Sequence, residues 1–242
     1  MTIEEFSNQF DILVASYRRF KDFDNKENLD SIEFDEYEKS VFLTKAQEKI
    51  VESLYSGRNS SGDSFEDTEE LRRYMSNLVR EARLSPITNT SGMILGISSY
   101  SKFFTLPDDT WLITYEAAYL SNPKCASYNL IDVVPVTQDT YNNVRNNPFR
   151  GPNDRRALRL DLSDNVVEIV SKSLIDSYYI RYIRKLRPIV LVDLPNNLTV
   201  NGIGNKSECE LHNALHQKIL DRAVIEALQS KSINTENIKS RP

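Results

Sequence analysis

Cys209, His212 and His216 fall in the order Cys-x2-His-x3-His near the end of the chain. Thiolate and imidazole are the donors zinc prefers, and on a helix this spacing turns all three to one side. A structural zinc site needs a fourth ligand, and the run lacks the Glu that serves as base in His-Glu-x-x-His metalloproteases. The same residues lie on or beside an apolar stripe of Leu211, Leu215, Ile219, Ala223 and Leu228, widened by Leu220 and Val224. The spacing is therefore read as packing, and no metal or other cofactor is assigned. Gly202-Ile203-Gly204 is a fragment of a dinucleotide fingerprint without the strand–turn–helix context that gives the fingerprint its chemistry. G-x-S-x-G and C-x-x-C do not occur, and Asp161 with Asp164 reads as hairpin-turn chemistry. The sequence is not read as an enzyme.

Basic and aromatic residues form the other candidate surface. Arg145, Arg150, Arg155, Arg156 and Arg159 surround NNPFRGPNDRR, and Arg181, Arg184, Lys185 and Arg187 line a later ribbon that also carries Tyr179. In a nucleic-acid reader the arginines would meet phosphates while Phe149 or Tyr179 stacked on bases. Asp154, Asp161 and Asp176 interrupt the run, net charge is −5, and Arg is also the preferred cation of protein interfaces. Contact between subunits is the favoured reading, with Tyr179, Arg181, Lys185, Arg187, Arg155 and Arg156 as its candidates.

These residues need elements to hold them. Thr2 with Glu5 makes a capping-box pattern ahead of Phe6, Phe10, Leu13, Val14 and Tyr17. A second helix is predicted over 31–56, with Phe34, Tyr37, Val41, Phe42, Ile50, Val51 and Leu54 inward and Gly57 as its stop. An acidic, Asn-rich connection at 22–30 and a polar linker at 57–64 flank it. A third helix is predicted from Ser64 and Asp67 to about Leu84. From about 93 the period becomes two: strands over 110–120 and 128–136, a short helix capped by Thr137, and a hairpin turning at Ser163-Asp164-Asn165 with Leu158, Leu160 and Leu162 on one face. The ribbon 176–187 fits strand or helix by spacing. Its aromatic and β-branched content, and Pro188 after Arg187, favour a strand. After a loop at 195–207, Ser207 and Glu210 cap a closing helix at 208–229, and 230–242 is a polar tail predicted to be mobile. The fold class is α+β: a helical bundle of N-terminal helices plus the C-terminal helix, with a β-rich insert. Its expected parts are 1–92, 93–194 and 195–242.

At 242 residues the chain can bury one good core. Twelve Tyr and ten Phe against one Trp is a surplus of flat amphipathic side chains, suited to β cores and to interfaces alike. Charge is unevenly spread: residues 1–70 hold 8 Lys and Arg against 18 Asp and Glu, and the remainder 22 against 17. An acidic end and a basic middle suit self-association or a charged partner. Cys125 and Cys209 are too few for a disulfide framework and read as free thiols of a reducing compartment. The acidic start is unlike a signal peptide and no apolar run reaches membrane length, so the N-x-[ST] matches at Asn59, Asn89, Asn197 and Asn205 carry no information.

The segments FDEYEKSVFLTKAQEKIVESLYSG (34–57), NPFRGPNDRRALRL (147–160), YIRYIRKLRPIVL (179–191) and ELHNALHQKILDRAV (210–224) resemble structural proteins of crAss-like phages, in particular the ring or adaptor proteins of the head–tail connector. The closing helix is also similar to the one that ends adaptors of other short-tailed phages. The resemblance implies a virion component assembled in the host cytoplasm as a twelvefold homo-oligomeric ring beneath the portal. Other ring or tail proteins would be its neighbours, and packaged DNA would pass through its channel without sequence-specific binding. It implies no membrane partner and no functional residue of its own. Two other classes compete: a non-virion regulatory protein binding a host partner, and a metal-dependent nucleic-acid enzyme.

Overall fold

Twelve helices and strands are laid out in the computed structural model, which describes residues 1–21, 33–58, 66–87, 100–121, 129–163, 165–195 and 197–239, with side chains at 17–21 and 232–239 outside the description. In chain order they are α1 (Ile3–Lys21), α2 (Glu36–Ser56), α3 (Glu69–Met75), β1 (Val79–Leu84), β2 (Lys102–Thr105), β3 (Thr110–Leu120), β4 (Leu130–Pro135), α4 (Gln138–Val144), β5 (Arg156–Ser163), β6 (Val166–Val170), β7 (Ile175–Arg184) and α5 (His216–Lys239). The fold is mixed α+β. The chain divides into two compact units, Met1–Leu78 with Leu186–Pro242, and Val79–Lys185. The connections at 22–30, most of 57–64, the start of the β region near 93, Asp164 and Cys125 lie outside the described residues.

In the helical unit the local signals act as their chemistry dictates. Thr2 and Glu5 exchange capping bonds at 2.8 and 3.2 Å. Asp35 and Glu38 do the same for α2, which stops at Gly57 in the left-handed conformation. Phe6, Phe10 and Val14 of α1, and Leu215, Ile219, Leu220, Ala223, Val224 and Ala227 around α5, are all buried. α2 departs from expectation. Its buried positions include Lys39, Ser40, Thr44 and Gln47 beside Leu43, Ala46, Ile50, Val51 and Leu54, while Tyr37, Val41 and Phe42 are only half-buried.

The polar stripe is buried because one side of a backbone segment outside the sheet needs partners. The segment 187–191 runs extended along α2, outside any sheet. Gln47 Nε2 donates to Arg187 O at 2.6 Å, Thr44 Oγ1 accepts from Ile189 N at 3.1 Å, and Ser40 Oγ accepts from Leu191 N at 3.0 Å. Spaced four and three apart, these side chains stand in for a neighbouring strand at Ile189 and Leu191, while Val190 exchanges backbone bonds with Ser207, so all three residues are buried without orphaned amides.

The second unit is a seven-stranded sheet in the order β1-β7-β3-β4-β5-β6-β2, antiparallel except between β4 and β5. The parallel pair is joined through α4, whose Tyr141 packs with Leu158, Leu160 and Val170. The sheet curls: just beyond β1, Ile87 N donates to Phe103 O of β2, the strand at the opposite edge, at 2.8 Å. Inside the curl lie Phe104, Ala118, Ile131, Val133, Ala157, Val167, Ile169, Tyr178, Ile180 and Tyr182.

Several boundaries differ from the sequence expectation. Residues 79–84, expected to finish a helix, form edge strand β1, since pairing with β7 overrides their helix propensity. Ser207 does not cap a helix at 208, because its backbone is committed to a bridge with Val190. A 3-10 turn over Asn213–Leu215 leads instead into α5 at His216. α5 then runs to Lys239, through most of the expected tail. Residues 205–241 contain neither Gly nor Pro, and polarity decides which face is wet, not whether the backbone is helical. The glycines of 202–204 serve geometry: Asn201 (φ 48°) and Gly202 (φ 83°) form a tight turn between Val200 and Ile203.

Candidate functional site

β7 is a strand, as its composition favours, and its two faces have different fates. Tyr178, Ile180 and Tyr182 point into the core. Tyr179 and Arg181 lie on the opposite face and are half-buried, but Ile183 on that face is fully buried, so the face is not uniformly basic. Register builds a patch around them that the linear sequence hides. Arg181 stands opposite Glu81 of β1 and Tyr115 of β3, and Tyr179 stands opposite Arg83. The Tyr115 and Tyr179 rings meet edge-on at 6.1 Å, and the Arg83 guanidinium lies 4.4 Å over the Tyr119 ring. Arg83 also donates to Ser177 Oγ at 2.8 Å. Burial, then a hydrogen bond to Glu81, raises the Tyr179 phenol. Tyr115, Tyr119 and Arg83 escaped the sequence reading because only cross-strand pairing places them here.

The remaining candidates are dispersed. Lys185 is exposed just past β7, with its N bonded to Asp109 O at 2.7 Å and its Nζ to Asp108 O at 3.1 Å. Arg187 belongs to the helical unit, where its Nε lies 3.7 Å from Glu210 Oε1. Arg156 begins β5, and Arg155 is the last residue of the loop that follows α4. Arg156 Nη1 donates to Phe149 O at 2.8 Å, and Arg155 N to Asn153 Oδ1 at 2.9 Å. Phe149 itself is 83% exposed.

Cys209, His212 and His216 do not converge. The Cys209 sulfur lies 3.7 Å from Gln47 Oε1, and burial pushes its thiol up to about 11. His212 is exposed, caps the 3-10 turn by accepting from Ala214 N, and tilts against Tyr74. His216 is buried between Leu211 O at 3.0 Å and the Met1 amino group at 2.8 Å, and burial lowers its pKa. Among the described residues, no group of three or more His, Cys, Asp or Glu is arranged to hold a metal ion.

One buried polar cluster was invisible in the sequence. Glu116 of β3 accepts from Arg159 Nη1 at 2.7 Å with one carboxylate oxygen and from Tyr178 Oη at 2.6 Å with the other. Arg159 Nε lies 3.0 Å from Asp161. Burial nonetheless dominates and raises Glu116 above its ordinary value, against the pull of Arg159 and Tyr178. Burial also raises the Tyr178 phenol strongly. Both carboxylate oxygens are used within the cluster, which describes a structural tie across β3, β5 and β7.

A family model described as phage tail ring protein 3/4 matches residues 1–239. Ring protein 3 of Bacteroides phage crAss001 is 46% identical over 240 residues, covering 98% of this chain and 99% of that protein. Ring protein 4/5 of the same phage is 30% identical over 233 residues, covering 93% and 91%. The chain belongs to the phage tail ring protein 3/4 family, a family of phage structural proteins.

Proposed function

We propose that this chain is the repeating subunit of a ring in the head–tail connector of a crAss-like phage. Copies associate side by side into a closed, twelvefold ring beneath the portal, at the portal vertex of the virion, and surround the channel through which DNA leaves. Assembly takes place in the host cytoplasm, and other ring or tail proteins stack on the ring. The helical unit, a bundle of α1, α2 and α5, supplies the face toward the portal. The sheet unit supplies the lateral surface, with Tyr179, Arg181, Lys185, Arg155 and Arg156 of the sheet unit, and Arg187 of the helical unit, among the contacts between subunits. DNA passes without sequence-specific binding, and the work is mechanical.

The observation that carries this reading is end-to-end likeness to a protein named Ring protein 3, 46% identical across 98% of the chain. The charge distribution fits it, since an acidic first third and a more basic remainder let unlike surfaces of neighbouring copies meet. A cryo-electron reconstruction of the portal vertex tests it: the chain should fit a closed ring coaxial with the portal. Density for this chain elsewhere in the particle, or its absence from purified virions, overturns the placement.

A further inference from the structure

Among the described residues Phe149 is the most exposed of the large apolar side chains, and its backbone is held by several hydrogen bonds. Asn147 Oδ1 accepts from both Phe149 N at 2.9 Å and Arg150 N at 3.1 Å. Arg156 holds the Phe149 carbonyl at 2.8 Å. Gly151 N donates to Asn147 O at 2.7 Å, and the chain crosses itself so closely there that a Cβ on Gly151 would lie 2.6 to 2.9 Å from three backbone carbonyl oxygens. An aromatic ring exposed to water on a fixed loop has its ordering entropy already settled, which is the condition of an interface anchor. Arg145, Arg150 and Arg155 are exposed around it, with Asp154 as the one acidic residue between 145 and 156.

The chain also carries a surface of opposite character. On α1, Glu4, Asn8, Asp11, Ile12 and Ala15 recur at helical spacing and are all exposed, Ile12 to 66%. No Lys or Arg occurs among residues 1–17. This face offers an apolar centre edged by carboxylates, while the loop offers an aromatic centre edged by guanidinium groups.

We infer that the Phe149 loop of one subunit docks on the Ile12 face of α1 in a second copy of this chain. The contact joins unlike surfaces, so each subunit keeps one loop and one helix face for further neighbours, and the interaction propagates until a ring closes. Phe149 packs on Ile12 and Ala15, and Arg150 and Arg155 face Glu4 and Asp11. This contact rests on the ring reading proposed above and specifies where neighbours touch.

Benzoylphenylalanine at position 149 of the full chain, incorporated into particles and irradiated, reports what the loop touches. The expected adduct joins position 149 to a peptide within residues 4–15 of a second copy. Adducts confined to another part of a second copy overturn this surface and leave the ring intact. Adducts only to another virion protein or to DNA overturn the choice of occupant, and particles with no intermolecular adduct at all overturn the contact. As an independent check, Phe149→Glu or Ile12→Lys alone should reduce incorporation at least about tenfold, on the scale of an anchor residue, and the two together should restore much of it. Both sites are exposed, so each variant should keep the wild-type unfolding midpoint. Wild-type incorporation of either single variant overturns the proposal.

Discussion

The two units bury a charged side chain in opposite ways. In the helical unit Lys39 is almost fully buried, yet its partners reach water: Nζ lies 2.7 Å from Asp11 and 2.9 Å from Glu36, whose side chains are 57% and 36% exposed. In the sheet unit both members of the Glu116–Arg159 pair are mostly buried, with side chains 8% and 12% exposed. The outcome follows the solvent. Burial is the largest single influence on Lys39 and lowers its pKa, but the hydrogen bonds and charges of Asp11 and Glu36 together outweigh it and leave the ammonium favoured. For Glu116, burial outweighs Arg159 and Tyr178, and the carboxylate is disfavoured. A helix edge lets carboxylates stay hydrated while gripping a buried amine. Inside the curled sheet Glu116 has no such outlet, whereas Arg159 keeps one through Asp161, whose side chain is 68% exposed.

The largest expected effect comes from breaking the buried pair on one side. Arg159→Met leaves Glu116 without its principal cation and should cost about 3–5 kcal/mol, read from urea unfolding. Adding Glu116→Gln should return much of that loss, because removing both charges also removes their desolvation. A single-variant cost below about 1 kcal/mol would place the pair on a par with a surface bridge and erase the contrast. Next in size is Lys39→Met, expected to cost about 2 kcal/mol, since the abandoned carboxylates remain solvated. A cost equal to that of Arg159→Met would show that solvent access at the partners does not matter.

Ser40→Ala and Thr44→Val act on the backbone held by α2. Each removes the acceptor of a buried amide, at Leu191 or Ile189, and should cost about 1–2 kcal/mol. Amide exchange should speed locally at 189–191. Unchanged exchange there would mean that α2 does not hold the segment.

The smallest effect is in pH dependence. The folded pKa of Glu116 is raised above its ordinary value of 4.5, so its contribution is complete below that value and is lost as pH rises through the folded pKa. Lys39 is raised above 10.5, so its contribution is complete below that pH and is lost at more alkaline pH. Glu116→Gln should flatten the acid-side slope of stability only, and Lys39→Met the alkaline-side slope only. Both variants altering the same window would contradict the assignment.

What could be read from the sequence was what local chemistry controls. Thr2–Glu5 and Gly57 mark ends without help from distant residues, Thr137 takes the N-cap position of α4 without a side-chain capping bond, and the alternation in 176–184 carries one buried face through a single strand. Partnerships across the chain were not legible. Ser40, Thr44 and Gln47 look like a polar helix face until Ile189 and Leu191 arrive from about 145–150 residues away. Residues 79–84 look helical until β7 pairs with them. Of the candidate contacts, Tyr179 and Arg181 share one face, whereas the Tyr115 and Arg83 beside them are assembled by register, which no linear pattern encodes.

The ring proposed for this chain closes on like subunits. Native mass spectrometry of the connector released from purified particles measures that closure most directly. A single discrete assembly, with twelve copies of this chain and no ladder of smaller species, is the predicted result. A monomer, or a spread of open oligomers without a closed limit, would contradict it.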